Sequence, residues 1–279
     1  MKTSAVIMSR NDNYGGNLKE RATICLLSML DTFDEVIYVD WNSPKKSLLD
    51  EIKTTLPKTG RLKHIIVTPE QHKQFTNNDP DAQECCEVLG RNVGIKRATG
   101  DIIVSTNIDI IPPSREMLTF FLEHLFNPVV FYTFARRGVK LEIAHREFIT
   151  TKQVQGIRDM FVYNRHNIPI AGFERFWSIV AGCGDFQLAS KDIWEEIRGF
   201  EESYIYRGVA DVHTQMKAVA HGFAIQGVVD FPVFHIEHGS GNSFHLKRNP
   251  QFGFKLKKEK TYNKKEWGFP KDKFTEEVI

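Results

Sequence analysis

Short apolar runs alternate with helical patterns through the first hundred residues of the chain. Four of these runs predict strands, at Thr3–Ser9, Glu35–Asp40, Leu62–Thr68 and Asp101–Thr106. The spacing of apolar residues between them predicts helices, at Leu18–Leu30, around Leu48–Ile52 and at Asp81–Ala98. Because the strands are apolar on both faces and alternate with helices, we expect an α/β fold whose central sheet is mostly parallel and flanked by helices.

The second half of the chain is less regular. Arg136–Gly172 shows no clear period and many polar residues, which is typical of a long excursion that forms a lid or a binding loop. Beyond it the patterns predict two helices and two final strands, at Ser190–Ile197, Val209–His221, Ala224–Val229 and Pro232–Ile236.

The ends of the predicted strands are polar. Ser9–Asn17 follows the first strand, Asp40–Asn42 ends the second, and Asn107–Asp109 follows the fourth. Asn, Asp and Gly are common turn formers, which is the alternative explanation for any one of these ends. Three polar ends at the carboxyl edge of one sheet instead favour a ligand site, because open sheets of this type bind ligands there.

Composition narrows the function classes. The 279 residues include 37 Lys+Arg and 35 Asp+Glu, so the formal charge of +2 gives no general reason to expect nucleic-acid binding. The charge is uneven, because residues 246–279 hold 10 Lys+Arg against 5 Asp+Glu. No window approaches the roughly 18 apolar residues of a membrane span. With four cysteines and no CxxC pair, we expect a reduced, cytoplasmic environment.

Three short stretches carry candidate chemistry. Asn107 and Asp109 are two residues apart on an extended chain and point the same way, and hard cations prefer oxygen ligands of this kind. Asp211 stands in the first turn of a predicted helix, where the helix dipole stabilises a carboxylate. His235 and His238 offer imidazoles, which are common metal ligands. Spacing alone leaves open a turn-forming Asp, a plain helix-start Asp and structural histidines.

Taken in order, these motifs resemble those of the family-2-like GT-A glycosyltransferases, which use nucleotide sugars. The run Arg91–Asp101 is similar to the family's RN-x-G-x-x-x-A-x-G-D/E segment. The other matching segments are Ser9–Asp12 at the nucleotide-binding start, Asp40 as the acid that contacts the base, Asn107–Asp109 at the DxD position, Gly184–Gln187 and Trp194–Glu202 on the acceptor side, Ala210-Asp211 at the Glu-Asp pair, and His235 or His238 as the late histidine. The resemblance covers roughly residues 1–240. Asn107 and Ala210 each replace an acid of the family's pattern.

The resemblance implies one GT-A domain over residues 1–243, with a nucleotide-binding half (1–111) and an acceptor-binding half (112–243), followed by a basic aromatic extension (244–279). It implies inverting transfer from a nucleoside diphosphate sugar, a UDP-sugar, with Asp211 as general base and Mn²⁺ or Mg²⁺ on the diphosphate. The implied nucleotide-binding residues are Ser9, Arg10, Asn11, Asp40, Arg91 and Asn107. The implied metal ligands are Asp109, His235 and His238. The implied acceptor or sugar contacts are Gly184, Asp185, Trp177 and Trp194, although core packing is an equal alternative for the two tryptophans.

The expected partners are a nucleotide-sugar donor and a glycan or lipid-linked acceptor, with no nucleic acid. The basic extension alternates cations with aromatic residues, which is compatible with peripheral contact with an anionic membrane. The alternative for the extension is that its aromatic side chains pack on the body of the protein. Two other functions stay open at this point: a nucleotidyltransferase, and a non-catalytic nucleotide-sugar-binding module on the same fold.

Overall fold

A computed structural model of the protein describes residues 1–141, 184–208, 210–239 and 263–279. Trp177, most of the irregular segment that ends at Gly172, and residues 244–262 of the extension lie outside the described residues. The strands are β1 (Thr3–Ser9), β2 (Glu35–Trp41), β3 (Leu62–Val67), β4 (Ile102–Asn107), β5 (Ile110–Ile111), β6 (Val130–Lys140), β7 (Phe186–Ser190), β8 (Ala224–Glu237) and β9 (Thr275–Val278). The α-helices are α1 (Leu18–Thr32), α2 (Leu48–Ile52), α3 (Pro69–Phe75), α4 (Glu87–Arg97), α5 (Arg115–His124), α6 (Lys191–Glu196) and α7 (Ala210–Ala220).

The strands form one mixed sheet in the order β5-β8-β6-β7-β4-β1-β2-β3-β9. The first four predicted strands are parallel to one another, as expected. The expectation of a mostly parallel sheet is nevertheless wrong for the sheet as a whole. Strand β7 runs antiparallel to both β4 and β6, and β5 and β9 are also antiparallel to their neighbours. An antiparallel neighbour needs no helical crossover, so the repeating βα pattern of the first half could not foretell these strands.

Helices cover both faces of the sheet. Along β1 the side chains alternate between two hydrophobic clusters, with Ala5 and Ile7 packed towards α1 and Val6 and Met8 packed towards α4. Burial on both faces explains why β1 reads as a continuous apolar run rather than an alternating one. The polar edge at the carboxyl ends of β1, β2 and β4 is thereby held on a rigid support.

Three elements have boundaries that differ from those predicted from the sequence. Helix α4 begins at Glu87 rather than Asp81, because the preceding backbone bonds elsewhere: the Asp81 N–H donates to Asp79 and the Gln83 N–H to the carbonyl of Ile205. The two final strands are one strand, β8, which is interrupted by a register shift against β6. Strand β6 continues to Lys140, so the first residues of the segment we expected to be irregular are extended.

The end of the basic extension packs on the body of the protein. Strand β9 pairs with β3, and Trp267 is 2% exposed beneath the ammonium of Lys96. The ring of Phe269 stacks on Phe75 at 4.0 Å between centroids. For residues 263–279 the structure therefore matches the alternative in which aromatic side chains pack against the body. In the part of the chain that is described, no helix combines the length and apolar character needed to cross a bilayer.

Candidate active site

The pairing of β5 with β8 brings two distant histidines to Asp109. Asp109 follows β4 and immediately precedes β5, whose Ile110 pairs with His235 of β8. The N–H of Ile236 donates to the carbonyl of Asp109 at 2.9 Å. This short ladder fixes the start of β5 against the end of β8, so side chains more than a hundred residues apart share one corner of the sheet.

Asp109, His235 and His238 form a group, the metal-ligand cluster, whose ligand atoms are close enough together to hold a metal ion. Their ligand atoms all lie within 4.8 Å of one another. Nε2 of His238 is 3.0 Å from Oδ2 of Asp109, and Nε2 of His235 is 3.7 Å from the same oxygen. The other oxygen, Oδ1 of Asp109, is buried and has no hydrogen-bond partner among the described residues. A carboxylate oxygen without a partner beside two imidazoles is a set that suits Mn²⁺ and, less well, Mg²⁺.

The side chains of the cluster also change one another's pKa values. The hydrogen bond that His238 makes to Asp109 raises the pKa of His238, whereas burial lowers the pKa of His235. Burial acts against ionisation of Asp109, but the hydrogen bond from His238 and the charges of the two histidines and Arg21 lower its pKa overall. Asp109 is therefore a carboxylate at neutral pH, as a metal ligand must be.

Arg21 belongs to this corner, and the sequence reasoning missed it. The guanidinium is fully buried and donates from Nη1 to Oδ2 of Asp109 at 3.0 Å. It also donates to the carbonyls of Gly16 and Tyr14, which fixes the loop before α1. The sequence does hold a clue to its burial. Arg21 precedes Ile24 by three residues and so lies on the apolar face of α1.

Asp211 lies in the first turn of α7, with its carboxylate directly against Gly184. A Cβ atom on residue 184 would collide with all three carboxylate atoms of Asp211, so only glycine admits this arrangement. Burial raises the pKa of Asp211, and the negative charge of Asp185 adds to the rise, whereas the charge of Arg91 opposes it. The structure thus holds a carboxylate of enhanced basicity at a defined place.

A row of hydrogen-bonded polar side chains lies close enough to act electrostatically on both Asp211 and His235. Arg91 donates to the amide oxygen of Asn107, and the amide nitrogen of Asn107 donates to Oδ1 of Asp185 at 2.6 Å. Arg136 donates to Oδ2 of Asp185 at 2.8 Å. Arg91 also donates to the carbonyl of Gly184 at 3.1 Å. Asn107, Asp185, Gly184 and Arg91, which were all predicted site residues, are therefore neighbours. Arg136 was predicted only as part of an irregular segment.

Four of the six residues predicted to bind the nucleotide, Ser9, Arg10, Asn11 and Asp40, lie at the ends of β1 and β2. Ser9 shares a hydrogen bond of 2.7 Å with the hydroxyl of Tyr38, and Arg10 donates to the carbonyl of Asn42 at 2.9 Å. The side chain of Asn11 donates to the carbonyl of Lys46 and to Glu51. These contacts tie the loops after the two strands together at the edge of the sheet.

Two predicted site residues are buried in supporting positions. Asp40 is fully buried, and its Oδ2 accepts the backbone N–H of Leu48 at the start of α2. Trp194 is also fully buried, donates its indole N–H to the carbonyl of Ile103 at 3.1 Å, and packs on Phe200. The alternative of core packing therefore describes Trp194, which has no exposed face to offer a sugar ring.

Comparisons with solved structures show which known fold this chain has. No family model matches the sequence, and no curated protein matches it. Among solved structures, S. aureus TarS 1-349 superposes with a TM-score of 0.50 at 16% identity, over 85% of this chain and 60% of that one. Mannosyltransferase PcManGT from Pyrobaculum calidifontis, in complex with GDP-Man and Mn²⁺, gives 0.52 at 17% identity, over 88% and 59%. GalNAc-T7 with UDP, GalNAc and Mn²⁺ gives 0.54 at 12% identity, over 86% and 44%.

The chain thus spans between 44% and 60% of the length of these three structures. Identities this low carry the architecture and not the residue roles. All three are glycosyltransferases with the GT-A architecture. The chain described here therefore has the GT-A glycosyltransferase fold.

Proposed function

We propose that the protein is an inverting glycosyltransferase that moves a sugar from a nucleoside diphosphate sugar, a UDP-sugar, to a hydroxyl group of a glycan or lipid-linked acceptor. One observation carries the proposal. The structure contains both a cluster of metal-ligand side chains with an unpartnered carboxylate oxygen and, in the first turn of α7, the half-buried carboxylate of Asp211, whose pKa is raised. The presence of nucleotides and Mn²⁺ in the GalNAc-T7 and PcManGT structures supports it.

Asp109, His235 and His238 would hold the metal ion. The free Oδ1 of Asp109 and the two imidazoles supply oxygen and nitrogen ligands, and this donor set fits Mn²⁺. A bound Mn²⁺ or Mg²⁺ would supply charge neutralisation to the diphosphate as it departs. Arg21 would keep Asp109 in place by its hydrogen bond to the other carboxylate oxygen.

Asp211 would act as the general base. It accepts the proton of the attacking acceptor hydroxyl, and a base becomes more effective as its pKa approaches the working pH. Burial raises the pKa of Asp211 in that direction, and Gly184 leaves the space that the carboxylate occupies. The loops after β1 and β2, with Ser9, Arg10 and Asn11, would receive the nucleotide, and the hydrogen bond from the Leu48 N–H to Asp40 would hold the end of the loop after β2 in place.

The test replaces Asp211 by Asn and measures release of nucleoside diphosphate from UDP-GlcNAc, UDP-GalNAc and GDP-mannose in the presence of Mn²⁺. Loss of a general base lowers turnover by about 10²–10⁴-fold, while donor affinity measured by calorimetry stays unchanged. Asp192→Asn is the matched control, because Asp192 also stands in the first turn of a helix but is exposed.

Turnover of the Asp211→Asn variant near the wild-type rate would refute the assignment of the base. Release of pyrophosphate instead of a nucleoside diphosphate would indicate a nucleotidyltransferase. Donor binding without any release by the wild-type protein, in the presence of a glycan acceptor panel, would indicate a binding module.

A further inference from the structure

The side chain of Asn107 is held between a cation and an anion. Its amide oxygen accepts from Arg91, and its amide nitrogen donates to Oδ1 of Asp185 at 2.6 Å. This orientation of the amide is the only one that satisfies both partners, because the reverse would place two donors face to face and an oxygen against a carboxylate. Only a side chain with both a donor and an acceptor can make this bridge.

An acid at position 107 could not take the same place. A carboxylate there would still accept from Arg91, but its second oxygen would meet the carboxylate of Asp185 at hydrogen-bond distance. Two like charges that close are strongly unfavourable in a buried site, and Asp185 is only 7% exposed. The amide of Asn107 and the acid of Asp185 are therefore a matched pair.

Three hydrogen bonds hold Asp185 in place. Asn107 and Arg136 each donate to one of its carboxylate oxygens, and Thr106 donates to its backbone carbonyl at 2.5 Å. It directly follows Gly184, whose lack of a side chain lets the carboxylate of Asp211 lie against the backbone. A buried negative charge is thus held next to Asp211.

We propose that Asp185 is a positioning residue whose charge, fixed by Asn107 and Arg136, stands beside Asp211 and makes it a better base. This inference rests on the proposed role of Asp211. It is supported by the direction of the pKa of Asp211, which burial raises and which the charge of Asp185 raises further.

The surroundings of Asp211 contain other charged and titratable groups. Within the described residues, Arg91 and Glu87 of α4 act on it electrostatically or face it, and the titratable residues Cys86, Tyr204 and Tyr206 line a cavity of about 60 Å³ beside it. Arg91 lowers the pKa of Asp211. The negative charge of Asp185 acts in the opposite direction, so its removal would lower the pKa of Asp211 and make the carboxylate a weaker base.

The experiment compares Asn107→Asp, Asp185→Asn and the double variant that exchanges the two side chains. In the exchanged pair, the carboxylate at position 107 accepts from Arg91 and from the new amide at position 185, and the oxygen of that amide still accepts from Arg136. Every hydrogen bond is kept, but the negative charge has moved from position 185 to position 107. Asn127→Asp, which adds a charge at an exposed position whose side chain is also an acceptor, is the control.

Thermal unfolding without donor or metal tests the pairing. We expect Asn107→Asp to lower the Tm by about 5–10 °C, because it leaves two like charges in contact, one of them on the buried Asp185. The double variant should recover most of that loss, and Asn127→Asp should match the wild type. An unchanged Tm for Asn107→Asp, or a double variant no more stable than Asn107→Asp, would overturn the pairing.

Donor turnover as a function of pH tests the charge. We expect Asp185→Asn to lower kcat about tenfold or more, to leave the donor KM unchanged and to move the acid limb of the profile to lower pH. The double variant, although its Tm is restored, should keep the low kcat and the shifted limb. Restoration of kcat together with the Tm would overturn the proposal, because a purely structural role would then suffice. If Asp211→Asn stays active while the Tm results hold, the proposed function fails and the pairing stands.

Discussion

Replacement of Gly184 by Ala tests whether the position of the Asp211 carboxylate matters to the reaction. A Cβ on residue 184 would lie far inside the 3.0 Å limit that such atoms essentially never cross, and all three carboxylate atoms of Asp211 are in its way. The obstacle is the carboxylate itself, so the side chain of Asp211 has to move by about 1 Å or more to relieve the overlap.

A displacement of about 1 Å lowers the reaction rate by a known order of magnitude. Misplacement of a reacting group by about 1 Å can lower the rate by about 10²-fold, which corresponds to about 2.7 kcal/mol in the activation free energy. The new methyl group makes no contact with the metal-ligand cluster among the atoms nearest to it. We therefore expect Gly184→Ala to lower kcat about 10²-fold, while donor affinity and Mn²⁺ affinity stay close to those of the wild type.

The assay is release of nucleoside diphosphate from the donor that the wild-type protein turns over, with kcat and KM determined separately. Gly94→Ala is the control for a general loss of stability, because its Cβ would crowd Val6 and Val39 inside the core between α4 and the sheet. Gly94→Ala should lower the Tm without lowering kcat below that Tm. A kcat for Gly184→Ala close to that of the wild type would refute the reasoning, since Asp211 could then not be a base held against residue 184.

Burial raises the pKa of Asp211, and only the carboxylate form can accept a proton. As the pH is lowered, kcat/KM should therefore begin to fall at a higher pH than it would with an Asp of ordinary pKa. An acid limb at or below the ordinary Asp value would contradict this. Mn²⁺ at about 100 times its Kd should stabilise the wild-type protein by about 2.7 kcal/mol, and His238→Ala should lose most of the resulting Tm shift, whereas an equal shift in both proteins would place the metal elsewhere. Trp267→Ala should lower the free energy of unfolding in urea by about 3–5 kcal/mol, because it empties a buried site; a change below about 1 kcal/mol would show that the C-terminal segment is not part of the core.

Most of the first half of the fold could be predicted from the sequence. The strands β1 to β4 and the helix α1 begin and end within two residues of the apolar runs that predicted them. Those runs depend on local periodicity and on burial of both faces of the sheet, which leave their mark in consecutive residues. The predicted start of α4 was wrong because the backbone N–H of Gln83 donates to the carbonyl of Ile205, a partner that no local pattern reveals.

Part of the candidate site could also be predicted, because local patterns mark where strands and helices begin and end. Asp109 and Asp211 were found because each lies at a recognisable end of an element, the first after a strand and the second at the start of a helix. Arg136 was missed because the end of β6, which carries it, lies in a polar segment that shows no strand or helix period. Trp194 was assigned both a functional and a core alternative, and only its burial against Phe200 separates the two.

The α/β class, the polar edge of the sheet and the residue types that could act there can all be read from local sequence patterns. Which of those residues meet depends on contacts between distant segments. The pairing of β5 with β8 brings His235 and His238 to Asp109, and the antiparallel insertion of β7 beside β4 brings Asp185 to Asn107. Register and burial arise from contacts between segments far apart in the chain, whereas periodicity reports only the environment of each segment, so partners such as these become visible only when the strands are aligned.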